Sequence, residues 1–238
     1  MNIFKFDTED AWVEGVVSLW RDRLHSNPRL RMCLPSGHTP NKIFAAIGRA
    51  VKAKQASFRD AEIFCLDEFG GLALDDRGRC ANMLRHYLLQ HIDLPEKNFH
   101  RIDIDAPDLQ KTCQDYERSI EPGFDLTLLG LGLNGHLGMN EPGTSADSPT
   151  RRVQLASSTV ASSAKYLAHG NLPTWGVAVG LKRLLGSKEV WLLVNGPAKT
   201  DIVKRTVHGP IGEDVPATLL RRHPNSFLMS DADAGKLL

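Results

Sequence analysis

The feature that most constrains how this chain can fold is a series of short, nearly continuous apolar runs. They fall at residues 30–34 (LRMCL), 61–66 (AEIFCL), 125–131 (DLTLLGL), 175–179 (WGVAV), 190–194 (VWLLV) and 226–229 (SFLM). A strand with one wet face alternates apolar and polar residues, whereas a strand covered on both faces does not. Between the runs, apolar residues recur at helical spacing. One such pattern spans 9–25, with Trp12, Val16, Leu19 and Trp20 on a single stripe, and others follow Pro40, Cys80, Leu109 and Pro197. This alternation predicts an α/β fold with a largely parallel sheet covered on both faces. The 238 residues hold no internal repeat and no long linker, so 1–238 reads as a single domain.

Charge excludes some partners. Lys and Arg number 29 against 28 Asp and Glu, a net charge of +1, which argues against nucleic acid or an anionic membrane as partner. Affinity for an anion must therefore come from a local site. No apolar run reaches the ~18 residues of a membrane span, and the opening MNIFKFDTEDAW lacks the apolar stretch of a signal peptide. The four cysteines, Cys33, Cys65, Cys80 and Cys113, form no CxxC pair and are expected to be free thiols in a reducing, cytoplasmic setting.

In an open parallel sheet, ligands bind beyond the carboxyl ends of the strands. Three polar segments stand directly after predicted strands. The first, PSGHTP, holds Ser36, Gly37, His38 and Thr39. Gly37 permits a tight turn, Pro40 suits a first helical position, and Thr39 suits the N-cap. A helix starting there would offer free N–H groups to an anion. The plainer alternative is a capped turn with no ligand. Neither a nucleotide P-loop nor a dinucleotide fingerprint is present.

The second segment, DEFGGL, sets Asp67 and Glu68 at a strand end, where a buried carboxylate can serve as a general base. The plainer alternative has Asp67 capping a turn and Glu68 facing water. The third, GLGLNGHLGMNEPG, is the most specific. Its glycines force sharp turns around His136, Glu141 follows five residues later, and Asn134 and Asn140 can orient a ligand or the loop. An imidazole beside a carboxylate is held in one tautomer and can move a proton near neutral pH. No HExxH or comparable ligand set points to a metal, and GxSxG is absent. His25, His86, His91, His100, His169, His208 and His223 are scattered and read as surface or packing residues.

With these segments placed, the sequence resembles the glucosamine-6-phosphate deaminase/isomerase family, within a wider group that includes 6-phosphogluconolactonases. PSGHTP, LDEFGGL and GLGLNGHLGMNEP carry the resemblance, which runs on to VPATLLRRHPN. It implies a doubly wound, Rossmann-like α/β fold with helices on both faces, and a reaction without cofactor or metal on a small sugar phosphate: ring opening, aldose-to-ketose isomerisation and loss of ammonia. It implies Asp67 as the base moving a proton between C2 and C1, and His136 with Glu141 as the ring-opening pair. Ser36, Gly37, His38 and Thr39 would cradle the phosphate with Lys199, in VNGPAKT, and with Lys165, where relatives often carry arginine. Asn134 stands where other members have an aspartate, and His38 where they have a small residue. Val153 replaces a lysine of the allosterically regulated hexamers, which implies a small homo-oligomer without that regulation. The lactonases lack Asn-Glu-Pro after the histidine, so Asn140, Glu141 and Pro142 weigh against that reading. The absence of a DNA-reading segment weighs against a sugar-phosphate sensor. Glucosamine and galactosamine 6-phosphates both remain open as substrates.

Overall fold

The computed structural model describes residues 1–167 and 172–238, so His169 lies outside the described residues. The strands are β1 (Asn2–Lys5), β2 (Arg31–Leu34), β3 (Glu62–Cys65), β4 (Asp67–Phe69), β5 (Phe99–His100), β6 (Leu126–Gly130), β7 (Arg151–Gln154), β8 (Trp175–Ala178), β9 (Glu189–Val194) and β10 (Ser226–Ser230). The α-helices are α1 (Glu9–Ser26), α2 (Asn41–Lys52), α3 (Cys80–Tyr87), α4 (Leu109–Ser119), α5 (Ser157–Ser163), α6 (Leu181–Leu185) and α7 (Thr200–His208).

Seven strands form one parallel sheet in the order β1-β10-β9-β6-β2-β3-β5. From β2 the chain winds outward through β3 to β5, then returns to place β6 on the other side of β2. The switch point therefore lies between β2 and β6, where an open sheet leaves a crevice at its carboxyl edge. The largely parallel α/β fold expected from the apolar runs, doubly wound as the resemblance implies, is the one observed.

Period-two burial explains why those runs lack alternation. On β9, Trp191 and Leu193 enter the core under α1 and α2, while Val190, Leu192 and Val194 enter the opposite core under α6 and α7. Ile63 and Phe64 divide in the same way on β3. Every second residue is thus apolar for one face and its neighbour for the other. Helix α1 lays Trp12, Val16 and Trp20, all fully buried, on the first core. The Trp12 indole donates to the carbonyl of Met229 at 2.9 Å, which satisfies its one polar atom.

Two expectations need correction. The run at 175–179 does not join the parallel sheet. As β8 it lies between β4 and β7 in a separate antiparallel sheet. A short apolar run cannot reveal which sheet it enters, and its partners β4 (DEF) and β7 (RRVQ) lack apolar patterning. Thr39 is not a side-chain N-cap either. Helix α2 begins at Asn41, with Pro40 already in the helical region at the cap position and no side-chain capping bond. The proline's fixed φ supplies the turn that the threonine was expected to stabilise.

Candidate active site

The carboxyl ends of β3, β2, β6 and β9 stand side by side, and the segments leaving them enclose a cleft of about 330 Å³. Ser36, Gly37, His38 and Thr39 line it after β2, Asp67 after β3, Asn134 and His136 after β6, and Lys199 after β9. Lys165 enters from the turn that follows α5. Glu141 is not among the lining residues and stands behind His136. Residues scattered over more than half the chain are thus brought to one opening.

Asp67 opens β4, and pairing with Ala178 of β8 fixes its backbone. Its side chain is buried at 7% exposure, and burial pushes its pKa up to about 6. Hydrogen bonds from the Cys80 thiol and the Met139 N–H, together with the nearby His136, oppose that rise. A Cβ on Gly138 would lie 3.0 Å from an Asp67 carboxylate oxygen, and Gly138 has φ +58°. Glycine is therefore required there on both steric and conformational grounds.

Glu68 does not face water. It is 2% exposed, and its carboxylate accepts the N–H groups of Phe69 (2.9 Å), Cys80 (2.8 Å) and Ala81 (3.0 Å). It thereby holds the first turn of α3, whose orphan donors need an acceptor. Burial pushes Glu68 up to about 7 against the pull of those N–H groups and of Arg79. Adjacent carboxylates on a strand point to opposite sides, so one serves the cleft and the other the scaffold.

The β6 loop builds the second working group. Gly132 lies flat against the His136 ring, where a Cβ would come within 2.3 Å of the imidazole. The Asn134 side chain accepts the His136 N–H at 3.1 Å and donates to Glu141 Oε2 at 2.7 Å. His136 Nδ1 lies 3.3 Å from Glu141 Oε2 and 3.3 Å from Thr159 Oγ1. Burial raises the Glu141 pKa, but hydrogen bonds from His136, Thr159 and Asn134 outweigh it and bring the value down to about 2. Asn140 is structural. Fully buried, it donates to the carbonyls of Leu137 and Val179 and accepts from Arg151 at 2.9 Å.

Lys199 follows β9 and donates to the carbonyl of Leu131 at 2.5 Å. Burial, with the nearby charge of Lys165, lowers its pKa to about 8. Lys165 sits over the Tyr166 ring, and that ring packs on His38 with centroids 4.9 Å apart. Burial first, and Lys165 second, hold His38 below the ordinary histidine pKa, so it is neutral near pH 7. Gly37, at φ +101°, brings its backbone close to the Tyr166 hydroxyl. The cleft thus has a cationic end bordered by the Ser36–Thr39 loop, and an acid–base end with Asp67 and His136.

Sequence reasoning missed Cys80, Thr159 and Tyr166. Thr159 lies in ASSTVASSAKY, a run of small polar residues with no periodicity, and Cys80 looks like any small apolar residue. Only the fold brings them to the cleft.

Residues 6–229 match the family model described as glucosamine-6-phosphate isomerases/6-phosphogluconolactonase. Curated relatives include the glucosamine-6-phosphate deaminase of Shouchella clausii, 31% identical across 100% of this chain and 97% of its own length. Another, from Oceanobacillus iheyensis, is 34% identical over 84% of this chain and 82% of its length. Among solved structures, a monomeric glucosamine-6-phosphate deaminase superposes with a TM-score of 0.96 at 29% identity, covering 100% of both chains. A 6-phosphogluconolactonase from Thermotoga maritima, at TM-score 0.76 and 20% identity over 97% of this chain and 100% of that one, shares the fold.

Proposed function

The chain belongs to the family of glucosamine-6-phosphate isomerases and 6-phosphogluconolactonases, and from that premise we propose that it is a glucosamine-6-phosphate deaminase. The observation that carries the proposal is a single cleft holding a cationic anion cradle at one end and Asp67 and His136 at the other. A phosphate at Ser36 to Thr39, Lys165 and Lys199 would fix the far end of a six-carbon chain by charge-assisted bonds. The sugar's C1 and C2 then reach Asp67, and its ring oxygen reaches His136.

In this reading His136, oriented through Nδ1 by Glu141, takes the proton of the anomeric hydroxyl on Nε2 and hands it to the ring oxygen as the C1–O bond breaks, which opens the pyranose to the aldehyde. Asp67, ionised above its pKa of about 6, takes the C2 proton and returns it to C1. A base tuned close to the working pH combines availability with basicity. Isomerisation converts the amine-bearing carbon to an iminium, water adds there, and ammonia leaves with the ketose 6-phosphate as product. We read 1–238 as one such domain. Its buried, unpaired thiols support a cytoplasmic setting. Among the described residues no helix is long and apolar enough to cross a membrane. The small homo-oligomer implied by the family resemblance competes with a single chain, the state named for the similar solved deaminase, and light scattering separates the two.

The deciding assay supplies glucosamine 6-phosphate, galactosamine 6-phosphate and 6-phosphogluconolactone separately and follows ammonia, ketose phosphate and acid. Ammonia from glucosamine 6-phosphate is the expected result. Ammonia from the galactose epimer alone would move the substrate, and none from either sugar would end the proposal.

A further inference from the structure

Helix α5 is tied to the acid–base pair by its own first turn. The N–H of Ala156, at the α5 N-cap, donates to Glu141 Oε1 at 3.3 Å. One turn on, Thr159 is 7% exposed, hydrogen-bonds Glu141 and places Oγ1 3.3 Å from His136 Nδ1. The same segment continues without a break into the turn that carries Lys165.

Donor counting fixes the proton. A threonine hydroxyl has one hydrogen and an ionised carboxylate has none. With the Thr159 hydrogen given to Glu141, both oxygens facing His136 Nδ1 can only accept. Nδ1 therefore carries the hydrogen of the neutral imidazole, and Nε2 presents its lone pair. The ring cannot tip away, because Gly132 closes one face of it.

We infer that Thr159 is a positioning residue that, with Glu141, fixes the orientation and tautomer of His136 from the segment that also carries Lys165. This rests on the reading of His136 and Glu141 as the ring-opening pair. The groups facing His136 are Glu141 and Asn134 from the β6 loop, Asp67 from β4 and Thr159 from α5. Only Thr159 among them belongs to the segment that bears Lys165.

The test uses the full chain with Thr159→Val, which keeps the shape and removes the hydroxyl, and Thr159→Ser, which keeps the hydroxyl. Imidazole ¹⁵N spectra of His136 are recorded with and without inorganic phosphate. In the parent and in Thr159→Ser the ring should be in the Nδ1–H form with or without phosphate, whereas in Thr159→Val the tautomers should be mixed under both conditions. With glucosamine 6-phosphate, Thr159→Val should lower kcat roughly five- to tenfold, the loss of one neutral hydrogen bond, with KM changed less. Thr159→Ser should restore the parental kcat. A parental tautomer together with a parental kcat in Thr159→Val would overturn the inference. If the parent binds phosphate yet releases no ammonia, the functional reading fails instead, and the spectra still decide Thr159.

Discussion

Asp67, the base in the proposed reaction, shows how a residue suited to proton transfer weighs on the fold. Its folded-state pKa, about 6, lies above the ordinary 3.8. The folded protein therefore holds that proton more tightly than the unfolded chain does. The resulting stabilisation is complete below about pH 4 and is lost as pH rises through about 6, where the buried carboxylate must ionise. A shift of this size corresponds to roughly 2–3 kcal/mol. Asp67→Asn should therefore unfold at higher denaturant than the parent at pH 8, and the advantage should shrink toward pH 4. The same variant should lose exchange of the C2 proton with solvent. Exchange at the parental rate would take the base role away from Asp67. In the parent, kcat/KM should fall below about pH 6 as this carboxylate takes up its proton.

At the scale of elements, the outcome depends on what anchors α3. That helix contributes Cys80 and Met83 to the cleft wall, yet its first turn is held by Glu68 from β4. The preceding loop is pinned by Arg79, which donates to the Leu72 carbonyl at 2.6 Å and pairs with Asp105 at 2.6 Å. Glu68→Gln puts an amide hydrogen donor among three N–H groups that need an acceptor. It should cost about 2–4 kcal/mol in chemical denaturation and lower kcat as Cys80 moves away from Asp67. A loss below about 0.5 kcal/mol would show that the three contacts do not hold α3.

This is also the scale at which legibility in the sequence divides. The long apolar runs of β6 and β9 and the striped helices α1 and α2 announce themselves, because burial on both faces or on one stripe leaves a periodic trace. Strands β4 and β7 leave none. They are short and polar, and they owe their conformation to β8 between them. Within the site, His136 and Glu141 were legible because a glycine-dense loop cannot pass for a packed element. Glu68 was misjudged in the plainer reading because its partners are backbone N–H groups twelve and thirteen residues away, which sequence does not pair with it. Thr159 was invisible for a related reason. Its role comes from where α5 docks, not from its neighbours along the chain.

For the molecule as a whole, the winding of the sheet decides the site. Crossing from β5 to β6 sets the anion loop of β2 beside the histidine loop of β6, and β3 and β9 flank them with Asp67 and Lys199. The resulting cleft concentrates positive charge at one end of a protein that is nearly neutral overall. Inorganic phosphate should raise the melting temperature of the parent in proportion to the logarithm of its concentration once above Kd. Lys199→Ala should blunt that rise and increase KM for the sugar phosphate more than it lowers kcat. A parental response in that variant would put the phosphate elsewhere.

The two lysines carry one last consequence. Among the described residues neither Lys165 nor Lys199 forms an ion pair, and each sits within the other's field. An anion bound between the two lysines would complete a charge balance that the chain leaves unfinished, so that sugar phosphate is also a stabilising part of the fold, by mass action on the folded state.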